Sequence, residues 1–293
     1  EAMAGEEEEF DPFADPADAA DAHAAQPATT SSADKRWRPP VPEEPVESAD
    51  AAEEKVLPGE RELRLGEAQE ILCLHTFPPS EEKCSWGILI VGGNPSKEFG
   101  SATMHLPILQ ELCKALDVAG LRRLRFDWPG SGMSGGEFSP LTVRSLIKGA
   151  IDHMLEHFCK NLVYIGYSMG SQEGLQVITS NPAYRLSVKL IVSLSTGFMV
   201  WKWFSGGDYF STDAEDAEKA HAKVHWICEH PMLYVFGGKD KMTPEDGLRE
   251  LLKKRKDGGK NAEVHVVPGG SHALAGQEAE TAALVASWLK EEM

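Results

Sequence analysis

Gly166-Tyr-Ser-Met-Gly170 is where this sequence most plainly offers chemistry. The apolar run Asn161-Leu-Val-Tyr-Ile165 leads into it, and a helix-compatible segment, Ser171 to Ser180, leads out. A serine set between glycines at a strand-to-helix turn has a strained backbone and a hydroxyl thrust out above the sheet. The N–H of the next residue, here Met169, then faces whatever the hydroxyl attacks. A serine hydroxyl is a weak nucleophile at neutral pH, so attack requires a histidine base and a carboxylate that orients it. A second Gly-x-Ser-x-Gly, Gly132-Met-Ser-Gly-Gly136, follows the breaker-rich Asp127-Trp-Pro-Gly130. No strand runs directly into Ser134, so Ser168 is the candidate nucleophile.

Both partners stand where such chemistry needs them. Pro231-Met-Leu-Tyr-Val-Phe236 reads as a buried strand that ends in Gly237-Gly-Lys-Asp240. Ala262-Glu-Val-His-Val-Val267 reads as another, ending in Pro268-Gly-Gly-Ser-His272. A carboxylate just past one strand end and a histidine on a glycine-rich loop past the last strand can both reach the rim above Ser168. Asp246 or Glu245 could replace Asp240, but Thr243-Pro244 makes them first-turn helix residues, where acids favour the helix dipole. His272 would take the serine proton, and Asp240 would fix the imidazole tautomer.

The elements that must hold these groups alternate. Arg61–Leu65 and Glu70–Thr76 read as a leading antiparallel hairpin, Ile88–Val91 as a strand, and His105 to Leu116 as a helix with Leu109, Leu112, Cys113 and Leu116 on one face. Leu121–Phe126 is expected as a strand, Leu141–Phe158 as a helix, Leu186–Leu194 as a strand, and the stripe Thr281, Leu284, Val285, Trp288 and Leu289 as a C-terminal helix. Alternating strands and helices predict the α/β class: a mostly parallel, doubly wound sheet covered on both faces. Ligands bind such sheets at the carboxyl ends of the strands, the rim that Ser168, Asp240 and His272 share. Between Thr196 and His230 the alternation lapses, and a small helical cap is expected at about 199–230, with Asp213 to Cys228 as its helix. Trp201, Trp203, Phe204, Tyr209 and Phe210 precede that helix. They read either as a wall that binds an acyl or aryl group or as a small core pinning the cap.

From about Gly87 to Met293 the chain resembles the α/β-hydrolase superfamily of serine hydrolases. The resemblance rests on Gly166-Tyr-Ser-Met-Gly170, on the order Ser168, Asp240, His272, on Ile88-Leu-Ile-Val-Gly-Gly93, and on Arg125-Phe-Asp-Trp-Pro-Gly-Ser-Gly-Met-Ser134. Gly136-Glu-Phe-Ser-Pro-Leu-Thr142 is similar to small-cap esterases of the feruloyl/cinnamoyl type and to related acyl-thioesterases. The resemblance implies hydrolysis of a carboxylic ester or thioester through an acyl-enzyme on Ser168. Its oxyanion hole would be made by Met169 N–H and by Asn94 or Gly93 N–H, and Trp201, Trp203, Phe204 and Tyr209 would line the substrate site. The chain departs from the family at Gly92, where a histidine commonly braces the oxyanion loop. That departure supports an alternative, a catalytically inactive subunit of this fold used for docking.

The docking alternative draws also on the N-terminal extension. Residues 1–60 hold 17 acidic and 4 basic residues, most of the chain's net charge of −17. Rich in Ala, Pro, Glu, Asp and Ser, the segment cannot bury enough apolar surface to offset its ordering entropy, and is expected to be disordered or to order on a protein partner. Residues 61–293 suffice for one large α/β domain. The acidic balance argues against nucleic acid and anionic membranes as partners, and no apolar run reaches the ~20 residues that span a bilayer. Five cysteines without a C-x-x-C predict reduced thiols in a soluble protein of a reducing compartment, the cytoplasm or an organelle matrix or stroma. Beginning at Glu1, the chain is compatible with a cleaved targeting peptide.

Three other motifs are read as structural, so neither cofactor nor metal is expected. Gly130-x-Gly-x-x-Gly135 mimics a dinucleotide fingerprint, but no strand-end acid follows at the right distance. His153-Met-Leu-Glu-His157 fits a zinc pattern on a helix expected outside the sheet, far from the rim. His221, His225, Cys228 and His230 could share a cap-helix face but lack a second cluster beside them.

Overall fold

The computed structural model describes residues 56–66, 71–77, 82–95, 102–139, 142–197 and 228–293. Its centre is an eight-stranded sheet of order β1-β2-β4-β3-β5-β6-β7-β8. Strands β1 (Arg61–Leu65) and β2 (Ile71–His75) form the expected hairpin. Strand β2 runs antiparallel to β4 (Arg123–Phe126). All later pairings are parallel: β3 (Cys84–Val91), β5 (Cys159–Tyr167), β6 (Val188–Leu194), β7 (Met232–Gly237) and β8 (Ala262–Val267).

Period-2 alternation splits the central strands between two cores. On β5, Leu162 and Tyr164 join one hydrophobic cluster while Val163, Ile165 and Tyr167 join the other. The second cluster receives Ile108, Leu109, Leu112, Cys113 and Leu116 of α1 (Pro107–Val118) and Ala282, Val285, Trp288 and Leu289 of the C-terminal helix α6 (Glu278–Glu292). The first receives Ile147, Ala150 and Ile151 of α2 (Val143–His153), Leu175 and Ile178 of α3 (Met169–Ser180), and Leu248 and Leu252 of α5 (Glu245–Lys253). Helices thus cover both faces, and the doubly wound α/β architecture is the observed one. No described helix is long and apolar enough to cross a membrane.

Several boundaries differ from the sequence reading, and β3 begins at Cys84 rather than Ile88. The helix drawn over Leu141–Phe158 ends at His153 and is continued by one π-helical turn, Met154–Phe158. The wider turn lets Phe158 stack on Phe77 with ring centroids 4.5 Å apart, a contact from outside the helix that its own periodicity does not encode. The strand drawn from Leu186 begins at Val188, because a short helix α4 (Pro182–Ser187) precedes it. Asn181 caps α4 by accepting from Ala183 N–H at 2.9 Å, and Pro182 sits at its first position. Packing also reaches back past Arg61: Leu57 joins the second core cluster and the Glu60 side chain is wholly buried. The proposed cap, its helix at Asp213 to Cys228, and Trp201, Trp203, Phe204, Tyr209 and Phe210 lie outside the described residues but for residues 228–230, as does the extension before residue 56.

Candidate active site

Ser168 is the hinge between β5 and α3, with φ 51° and ψ −119°. The left-handed φ is strained for a residue with a side chain, and it is held by packing on both sides. A Cβ on Gly170 would lie 2.5 Å from the carbonyl oxygens of both Val91 and Gly92, so only glycine lets α3 start this close to the end of β3. Gly170→Ala is therefore expected to destabilise the protein by about 1–3 kcal/mol through overpacking. Thermal unfolding would register this as a lower Tm, and an unchanged Tm would mean the two segments can part freely.

The structure brings together the three residues that the sequence selected. His272 Nε2 lies 3.0 Å from Ser168 Oγ, and His272 Nδ1 lies 2.9 Å from Asp240 Oδ2. Asp240 is further tied by accepting Met242 N–H on Oδ1 at 2.8 Å. Burial alone would raise its carboxyl pKa. The His272 charge and hydrogen bond, with the Thr243 hydroxyl and Met242 N–H, outweigh burial and hold it below the usual aspartate value. With an ionised carboxylate at Nδ1, the imidazole keeps N–H on that side and presents an acceptor lone pair to the serine O–H.

Backbone bonds set the histidine loop against the end of β7. Gly238 N–H donates to Val267 O at 2.9 Å and Lys239 N–H to Gly270 O at 2.8 Å. Beneath the site, Tyr167 hydroxyl approaches His272 O at 3.4 Å, and the two rings lie 5.7 Å apart. Glu245 and Asp246 occupy the first turn of α5, where Glu245 pairs with Arg249 at 2.8 Å and not with the imidazole.

On the facing side is the loop after β3. A Cβ on Gly93 would meet the Tyr167 ring at 3.1 Å and Ser168 Cβ at 3.3 Å, so this backbone lies directly against the nucleophile candidate. Trp128 Nε1–H donates to Gly93 O at 2.8 Å, Ala102 N–H to Asn94 O at 3.2 Å, and Met104 N–H to Asp127 Oδ1 at 2.7 Å. Met169 N–H opens α3 beside Ser168.

The remaining motifs fall into structural roles. Ser134 hydroxyl is buried and engaged, accepting from Leu72 N–H at 2.8 Å and donating to Asp127 O at 3.0 Å. Its loop packs against Trp128 and Asp127 at the rim. His153 and His157 lie with ring centroids 4.7 Å apart at the amino end of β5, the far end of that strand from Ser168. His230 Nε2 lies 3.0 Å from Arg185 O and its Nδ1 3.5 Å from Cys228 Sγ, while His221 and His225 fall outside the described residues. Among the described residues no group of three His, Cys, Asp or Glu converges as a metal site. All five cysteines are free, and burial pushes each thiol up, Cys73 and Cys159 to about 12, so none competes with Ser168 as a nucleophile. The sequence reading missed Trp128, Tyr167 and Thr243. Only Trp128 carried a signal, an indole inside a turn otherwise made of breakers.

No protein-family model and no curated protein matches the chain significantly. Solved structures do match it in shape. An alpha-beta serine hydrolase homologue from Coxiella burnetii superposes with a TM-score of 0.56 at 19% identity, covering 80% of this chain and 100% of its own. Est1E from Butyrivibrio proteoclasticus gives 0.60 at 16% identity, covering 80% and 98%. XC6422 from Xanthomonas campestris, described as an a/b serine hydrolase without lid, gives 0.57 at 14% identity, covering 80% and 96%. The fold of this chain is the α/β-hydrolase fold.

Proposed function

We propose that this protein is a serine hydrolase that cleaves carboxylic ester or thioester bonds through an acyl-enzyme on Ser168. The observation that carries the reading is the continuous chain from Asp240 Oδ2 through His272 to Ser168 Oγ, at 2.9 and 3.0 Å. Ser168 Oγ would attack the substrate carbonyl as His272 Nε2 takes its proton. The imidazolium, stabilised by Asp240, would then return that proton to the departing alcohol or thiol. Water, deprotonated by the same imidazole, would release the acid and restore the serine. The negative charge on the carbonyl oxygen would be met by Met169 N–H and by an N–H of the Gly93–Asn94 backbone, each such donor worth about 10²–10³ in rate.

The choice between those two backbone donors follows from peptide geometry. Gly92 O is turned toward Gly170, so Gly93 N–H, on the opposite side of a trans peptide, is turned away from the start of α3. This supports Asn94 N–H over Gly93 N–H as the second donor. Among structural neighbours, Est1E has been solved with ferulic acid bound, and another is a monoacylglycerol lipase from Paleococcus ferrophilus. An acyl or aryl ester of small to medium size is the substrate class these likenesses favour.

The test is a fluorophosphonate probe on folded protein, followed by peptide mapping. An adduct on Ser168, absent after heat denaturation, supports the hydrolase. Absence of any adduct would leave the docking subunit, with the acidic extension as its partner-binding segment, as the surviving reading. Graded p-nitrophenyl esters and acyl thioesters would then separate ester from thioester cleavage and set the acyl length.

A further inference from the structure

We propose that Trp128 is the positioning residue of the oxyanion loop, its indole N–H pinning Gly93 C=O so that Asn94 N–H is held toward the Ser168 side. The inference rests on the hydrolase reading above and concerns how this chain builds a competent hole with glycine at position 92.

The loop after β3 has little of its own to fix it. Gly92 and Gly93 carry no side chains, and two successive glycines leave the peptide between Gly93 and Asn94 free to rotate. A flipped peptide there would point an oxygen, not an N–H, at the developing oxyanion. The Trp128 hydrogen bond to Gly93 O, at 2.8 Å, removes that freedom. The bond is made within the core: Trp128 is 1% exposed, and its ring is set edge-on against Phe126 at 5.1 Å and Phe138 at 6.3 Å. An indole so packed cannot turn to release its partner without opening the core, and a buried N–H left unpaired is costly. Since the carbonyl and the following N–H of a trans peptide point in opposite directions, holding Gly93 O at the indole turns Asn94 N–H away from it. Gly93 lies between Trp128 on one side and Tyr167 and Ser168 on the other.

The adjacent Asp127 closes the far end of the same loop by accepting Met104 N–H at 2.7 Å, and Ala102 N–H bonds Asn94 O at 3.2 Å. Two consecutive residues at the end of β4 thus brace both ends of the segment that carries the donor. Preorganisation of this kind matters because a donor accelerates the reaction only if no reorganisation is needed when charge develops.

The test replaces Trp128 with Phe, which keeps a ring and removes the N–H, and measures kcat and KM on a p-nitrophenyl ester that the wild type cleaves. Expected is a fall in kcat of up to about 10²-fold, one donor's effect, with KM within about twofold of wild type. Affinity for a boronic acid transition-state analogue should fall by the same factor as kcat/KM. A purely structural role would lower Tm but leave kcat per folded molecule, and the analogue's affinity, at wild-type values, and that result would overturn the proposal. Should Trp128→Phe fail to fold, β-(3-benzothienyl)alanine at position 128 exchanges only N–H for sulfur and must give the same split. A wild type that neither labels with fluorophosphonate nor turns over would instead sink the hydrolase reading itself, so the two failures are distinct.

Discussion

Ser168→Ala, His272→Ala and the double variant are each expected to lose kcat by nearly the same factor, roughly 10⁶, with KM little changed. The equality is the informative part. If the imidazole acts only on the route through Ser168, whose Oγ lies 3.0 Å from Nε2, removing either group removes the whole nucleophilic route. What remains in every variant is what the oxyanion donors and substrate binding supply. Asp240→Asn should fall between, at about 10⁴-fold. Its amide oxygen would keep Met242 N–H, now held by Oδ1 at 2.8 Å, and so would turn its NH₂ toward His272 Nδ1. The imidazole would then have to accept on Nδ1 and carry its proton on Nε2, where it cannot take another from serine. Steady-state kinetics on one chromogenic ester, with protein content corrected for folded fraction, check all four variants. Losses that multiply in the double variant would mean that Ser168 and His272 act separately, and the proposed mechanism would fall.

The site was legible where function forces a local signature. Ser168, Asp240 and His272 each lie a few residues past an apolar run and sit among Gly or Pro residues, because a side chain at a strand's carboxyl end needs a sharp exit to stand above the sheet. The fold was legible for the same reason at lower resolution: a run such as Ile88-Leu-Ile-Val91 on β3 is apolar throughout because it is buried on both faces. What stayed illegible depends on partners distant in sequence. Trp128 reads as part of a turn until Gly93, 35 residues away, is placed against its N–H. Phe158 at the end of the π turn Met154–Phe158 stacks on Phe77, far from it in sequence. Arg123 and Arg125 alternate with Leu124 and Phe126 in sequence, yet β4 lies between β2 and β3 and both arginine side chains are wholly buried. Glu60 reads as one more acid of an acidic extension, and only the three-dimensional pairing separates it from its neighbours in sequence.

Those three residues carry the largest stability effect expected in the molecule. Glu60 Oε2 accepts from Arg125 Nη2 at 2.7 Å and from Leu57 N–H at 2.8 Å, while Oε1 accepts from Arg125 Nε at 3.1 Å and Arg123 Nη2 at 3.2 Å. Arg123 also pairs with Asp117, and Arg125 Nη1 donates to Met104 O at 2.5 Å. One carboxylate thus faces two guanidinium groups, and all three side chains are wholly buried. Glu60→Gln would keep the shape and remove the charge, taking from two buried guanidinium groups the carboxylate that both face. A loss of about 3–5 kcal/mol is expected, the usual result of removing one partner from a buried ion pair. The loss should depend on pH in a definite direction. Burial would raise the Glu60 pKa, but the Arg125 hydrogen bond and charge, Leu57 N–H and the Arg123 charge outweigh it and hold it below the usual glutamate value. A carboxyl whose pKa is lower folded than unfolded stabilises fully above its unfolded value, about 4.3, and loses that contribution as pH falls through the folded value. Urea unfolding of wild type and Glu60→Gln across a pH series should therefore give a constant difference from neutral pH down to about 5, shrinking below it. A difference that persisted undiminished into acid would mean that the ionised Glu60 carboxylate is not what stabilises the cluster.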